Sequence, residues 1–240
     1  DLSAATNVNL AAGSGAINTN GNNGVVKLNG GAVNGGQVVN ITAGTGDVYL
    51  GAMGQGTALT SLTVTSAGST YLSGAITTTG LINLGLDGPN VLLNDVNLAT
   101  TNSAVSLAAV TGNAHALSIA AGTGTVTLAG ITNVGSLGVG GGQIDFNGAV
   151  TAISGITATG TNNAAMTVAG GSTLTSTGGS ITLASQNSLT VNAAIDNNAG
   201  PVTLTANTDA LAEDQDLNIG AAVKGTSVTF AVGGGASSNI

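Results

Sequence analysis

The chain has 240 residues, 40 of them glycine, with 42% hydrophobic, 2% aromatic and only 5% charged residues. Lys27 and Lys224 are the only basic residues and the net charge is −8, so the cations that neutralise nucleic-acid phosphates or hold an anionic lipid surface are missing. The absence of cysteine removes disulfides and thiolate metal sites.

Disordered chains carry high charge and few aliphatic residues, unlike this one. No apolar run approaches the roughly 18 residues of a membrane-spanning helix. Apolar residues at helical spacing are interrupted everywhere by Gly or Thr. What remains is a strand-period signal.

Taken in order, the chain is a series of apolar-x-apolar triplets separated by Gly, Asn, Ser and Thr. It begins with Val8-Asn-Leu10, Val48-Tyr-Leu50, Leu62-Thr-Val64 and Ile82-Asn-Leu84. Pro89 then marks a turn before a short strand at Val91 to Leu93. Val105-Ser-Leu107, Leu117-Ser-Ile119, Val126-Thr-Leu128, Leu137-Gly-Val139 and Ile144-Asp-Phe146 follow. The series ends with Met166-Thr-Val168, Ile181-Thr-Leu183, Leu189-Thr-Val191, Val202-Thr-Leu204, Leu217-Asn-Ile219 and Val228-Thr-Phe230. The stretch 205–216 carries four of the ten acids, in TANTDALAEDQD from Thr205, and reads as an acidic loop projecting from the repeat.

Recurrence of a triplet after 18 to 21 residues, as from Val126 to Ile144 or Val105 to Val126, sets a unit of roughly twenty residues with two or three strands. Such a unit cannot close a sheet of its own. Stacked units let each strand pair with its counterpart in the next, at about 4.8 Å per coil. The apolar residues then point inward and the Thr, Ser or Asn between them outward. The predicted fold is all-β: a single-stranded parallel β-helix (β-solenoid), right-handed by the general rule for parallel crossovers. It would have about eleven coils and form one segment over residues 1–240 of a longer repeat array. Asp1-Leu2-Ser3 lacks the features of a signal peptide, and the chain reads as a mature or internal piece. Open solenoid ends expose strand edges, so further coils or other copies are the expected end partners.

Runs such as GTGTVTLAGITNVGSLGV from Gly122, GGSITLASQNSLTVNAAIDNNAGPVTLTA from Gly178 and TAGTGDVYLGAM from Thr42 resemble the repeats of filamentous-haemagglutinin-type exoproteins. These bacterial surface proteins are exported by two-partner secretion, and related passenger domains occur in autotransporters. The resemblance runs from about Val25 to Phe230 as repeat style; the family's Asn-Pro-Asn-Gly secretion motif is not in this sequence. It implies a right-handed β-helix outside the cell, acting as adhesin, stalk or scaffold and meeting a receptor or glycan of a host cell or matrix. A self-assembling fibre or sheath subunit is the alternative. A carbohydrate-active β-helix enzyme is a distant third.

Candidate chemistry is sparse. A glycosidase needs two facing carboxylates, drawn here from Asp47, Asp87, Asp95, Asp145 and Asp196. In the predicted register Asp145 lies between Thr127 and Thr167, with no acidic partner. No Arg is present to hold an acidic sugar, no Trp to stack on one, and only Tyr49 and Tyr71 could serve that purpose. His115 is the sole imidazole and reads as a surface residue with no carboxylate near it in sequence. Asp209, Glu213, Asp214 and Asp216 offer hard oxygen ligands, making calcium the one metal worth considering, but they match no EF-hand spacing, and a solvated acidic loop is the simpler reading. Thr pairs at 63/65, 125/127, 157/159 and 173/175 suggest an ice-binding array, yet the outward positions switch among Thr, Ser, Asn, Gly and Asp. Asn40-Ile-Thr42 is a single sequon. The sequence therefore predicts no catalytic residue, cofactor site or metal site.

Overall fold

In a computed structural model that describes residues 7–9, 15–209 and 215–233, the chain winds through three parallel ladders. Ten strands form the first face, ten the second and eight the third, with a two-stranded piece completing the third face at its start. Every paired strand runs parallel to its partner, about one coil away in sequence. This is the predicted β-solenoid. Ten coils are complete among the described residues, and the strand Asn7–Asn9, paired with Ala32–Asn34, belongs to a coil before them. Leu10 lies outside the described residues.

Coil length varies more than the sequence suggested. From Val126 to its register partner Ile144 is 18 residues, whereas from Leu189 to Leu217 is 28. The corners absorb the difference. Strands are two to seven residues long, as in Val110–Thr111 and Val38–Gly44, because a longer one would overshoot the narrow cross-section.

The core is a set of vertical ranks. On the first face, Ile82, Val105, Val126, Ile144, Met166, Leu189 and Leu217 stack in register, each buried. Beside them run Leu84, Leu107, Leu128, Phe146, Val168 and Val191. Each buried aliphatic side chain contributes on the order of 1.5–3 kcal/mol relative to exposure. Met53 stands in for a whole third-face strand, bridging Val33 and Ile76 as a single residue.

One buried polar residue serves a break in the ladder. The strand Ile82–Asp87 bulges against Ser61–Ser66, with the register slipping between Asn83 and Leu86. The buried Asn90 side chain donates from Nδ2 to the Leu84 carbonyl at the bulge, 2.9 Å away. A bulge next to a dry core needs such a cap, because a buried polar group left unpaired costs about 1–3 kcal/mol.

Two corners share one device. Ala43-Gly-Thr-Gly46 leads from first face to second, and Ala121-Gly-Thr-Gly124 from third face to first. In both, the last glycine donates to the alanine carbonyl at 2.9 Å. In both, an Asn one coil earlier in a left-handed conformation, Asn23 or Asn102, accepts from the threonine N–H at 3.0 and 3.1 Å. Gly44 and Gly122 each have φ +60°, and an added Cβ would stand 2.3 Å from that Asn Oδ1. Gly122→Ala should therefore cost about 1–3 kcal/mol. Gly140→Ala, on a half-buried outward strand position with its nearest contact at 3.8 Å, should be neutral or stabilising by about 0.4–1 kcal/mol. Urea midpoints of the two variants check this pair, and equal losses would refute the corner argument.

Candidate functional surface

With the interior filled by aliphatic ranks, the chemistry is confined to outward positions and corners. The five carboxylates considered for catalysis are spread over different faces and coils. Asp145 sits between Thr127 and Thr167, as its register predicted, and its Oδ2 accepts from Gln143 Nε2 at 2.7 Å. Asp47 and Asp95 accept backbone N–H groups of the next coil, from Ser69 at 2.9 Å and Ala116 at 2.8 Å. Asp87 lies at a corner opposite Ser66. Asp196 is in register with Lys224, their charged atoms 3.9 Å apart. Asp47 and Asp95 are thus tied to a backbone donor of the next coil and Asp196 lies beside a cation, while Asp87 and Asp145 have Ser or Thr as register partners. Among the described residues no group of three or more His, Cys, Asp or Glu side chains converges.

His115 lies at a corner between strands, where a carboxylate distant in sequence reaches it. Asp95, twenty residues earlier but one coil below, brings Oδ1 to 3.6 Å from its Nδ1. Asp95 is well exposed and His115 half-buried, so the contact is a surface pair of small energetic weight. Asp95, Asn97, Ser118, Ser136 and Gly138 line a shallow open trough of about 430 Å³ on the third face. Its volume falls in the range of ligand sites, but it lacks the enclosure by which they bury most of a ligand.

The calcium quartet is only half placed. Asp209 follows the strand Val202–Ala206, and Asp216 precedes Leu217–Ile219, its N–H donating to Ser188 Oγ at 3.1 Å. Glu213 and Asp214 lie outside the described residues, as does the middle of the predicted projecting loop. That loop is shorter than expected at its start, because Thr205 and Ala206 belong to the strand. Beside it, and unforeseen from sequence, an amide network joins successive coils. Asn187 Nδ2 reaches Asn163 Oδ1 at 3.1 Å, Gln215 Nε2 reaches the same atom at 2.8 Å, and Asn163 N–H donates to Gln186 Oε1 at 3.1 Å. Asparagines recurring at one corner, 24 residues apart, are the signal that could have disclosed it.

The threonines are more regular than the sequence implied. On the third face Thr157, Thr182, Thr203 and Thr229 form an unbroken rank across four coils, with Thr159, Ala184, Thr205 and Ala231 alongside. On the first face the equivalent rank is mixed, as predicted: Asn40, Thr63, Asn83, Ser106, Thr127, Asp145, Thr167, Thr190 and Asn218.

Tyr49 and Tyr71 meet on the second face. They are register partners, their ring centroids are 4.5 Å apart, and their planes differ by 10°. The Lys27 ammonium lies 6.0 Å from the Tyr49 ring centre. Rings spaced at the strand separation and nearly parallel must stand face to face along the axis. Tyr71 covers one face of Tyr49, Lys27 approaches that ring as well, and a sugar is left mainly edges. Partial shielding by the neighbouring coils, then the negative charge of Asp47, then Tyr71, push the Tyr49 phenol above its ordinary 10.0. The neutral phenol is thereby favoured in the fold. Its contribution to stability is intact below pH 10 and is lost as pH rises through the elevated folded value. Absorbance titration should show one phenol ionising above 10, moving down in Tyr71→Phe. An unchanged Tyr49 midpoint would remove Tyr71 as a cause.

The fold and this surface define a parallel β-solenoid rod. No protein-family model, no curated protein and no solved structure matches the chain. No helix among the described residues is long and apolar enough to cross a membrane.

Proposed function

We propose that this chain is a non-enzymatic extracellular segment of a filamentous bacterial surface protein of the haemagglutinin type, serving as stalk, scaffold and adhesive surface. The observation that carries this reading is the continuous stacking of ten coils around one aliphatic core. A rod of that construction, about 50 Å long at 4.8 Å per coil, transmits force through its ladders and presents long lateral faces. The repeat style supports the family, and the near-absence of basic residues, which denies trypsin its sites, suits a protein outside the cell. Its partners would be further coils of the array and a receptor or glycan on a host cell or matrix.

A fibre subunit is the second reading. Val228 and Phe230 occupy the core ranks of Val202 and Leu204 yet remain 39 and 40% exposed, which both readings accommodate. Another coil laid on them would bury them, whether it came from the same chain or from a second copy.

Electron microscopy of native material beside the purified 240-residue segment separates the two. Short single rods from the segment and long fibres from native material are expected. Filaments growing from the isolated segment, with a repeat of about 4.8 Å, would overturn the covalent-array reading in favour of the subunit. Failure of segment-coated beads to adhere to cells or matrix would reduce the role to a spacer.

A further inference from the structure

We infer that Tyr49 and Tyr71 form a site for oxidative cross-linking, where a peroxidase-class one-electron oxidant joins them as dityrosine and staples two successive coils. The inference does not depend on the proposed function. It rests first on which groups an oxidant can meet. The chain has no Cys and no Trp, and its two methionines, Met53 and Met166, are fully buried. The chain's two tyrosines are Tyr49 and Tyr71. Both occupy outward positions, flanked in their strands by buried residues at 48, 50, 70 and 72. One-electron oxidation of the folded protein is thus directed to these two phenols.

The second ground is geometry. The tyrosines leave parallel strands as register partners, so their rings project in the same direction, 4.5 Å apart and 10° from parallel. In a tyrosyl radical the unpaired spin occupies π lobes that include the ortho carbons and point normal to the ring. In a face-to-face pair those lobes point across the stack, toward the partner ring.

The step balances. Each phenol loses one electron and its phenolic proton, and one hydrogen peroxide takes up two of each to become two waters. A carbon–carbon bond forms between the two ortho positions. The hydrogens on those carbons then move as protons to the oxygens, restoring both aromatic rings. The protein has lost two hydrogen atoms in all. The new bond closes the chain between positions 49 and 71, a covalent constraint in a molecule that cannot form a disulfide.

The test treats the whole 240-residue chain with a haem peroxidase and hydrogen peroxide over a dilution series. The expected product is a monomer lighter by two hydrogen atoms, with dityrosine fluorescence, a digest fragment joining Tyr49 to Tyr71, and a yield independent of protein concentration. Its denaturation midpoint should exceed that of untreated protein. Tyr71→Phe, which keeps a ring in the stack, should yield dityrosine only in covalent dimers, increasing with concentration. Dityrosine confined to dimers in the unsubstituted protein would overturn the inference, as would tyrosine loss without a cross-linked monomer. A cross-linked monomer with an unchanged midpoint would overturn its role as a staple.

Discussion

The structure depends on one constraint: every strand must find its hydrogen-bond partners in the coil above and the coil below. A three-residue strand such as Val126–Leu128 has no stability alone and forms no hairpin with its sequence neighbours. Its backbone is satisfied only by Val105–Leu107 on one side and Ile144–Phe146 on the other. Stability in such a chain is a sum over nearest-neighbour coils, so interior coils are held from both sides and the outermost from one.

The same constraint accounts for the composition. A parallel in-register ladder sets each side chain next to its equivalent about 4.8 Å away. Aliphatic residues gain from this, as do threonines and stacked rings. Like charges do not, since repulsion at that spacing is repeated along the axis. A chain of this design must be poor in charge, and 5% is the result. The charges that remain are placed accordingly. Asp145 lies between two threonines, and among the described residues the one acid with a charged register partner, Asp196, faces Lys224. Low charge is thus a condition of the ladder.

Legibility follows from this geometry. The triplets are strands almost without exception, because inward-outward alternation is a local property written in consecutive residues. Which face a triplet belongs to is not local. Val48-Tyr-Leu50 and Val126-Thr-Leu128 both follow an Ala-Gly-Thr-Gly turn, yet the first lies on the second face and the second on the first. Sorting by local pattern therefore mixes the faces and blurs the coil count. The second face was hardest to see, because Thr70, Asn90, Ser176 and Asn197 fill inward positions that an apolar pattern leaves blank. Contacts between coils were hidden for the same reason. His115 and Asp95 are far apart in sequence, and nothing around either residue announces the other. The neighbours of Asp145 were legible because the coils around it keep a clean triplet in step.

A surface built from such ranks behaves differently from a pocket. The open trough beside Asp95 encloses little, and the tyrosine faces are turned toward each other. What the rod offers a partner is repetition: the same hydroxyl at one-coil intervals, as from Thr157 to Thr229. A single hydroxyl contact is worth about 1 kcal/mol or less, too little for recognition by itself. Along a rod the contacts are linked, and each one raises the effective concentration of the next. An adhesive role on this fold would therefore grow with the number of coils engaged rather than with the quality of any one site. That dependence on repeat number is consistent with a chain that spends nearly all its residues on repeating itself.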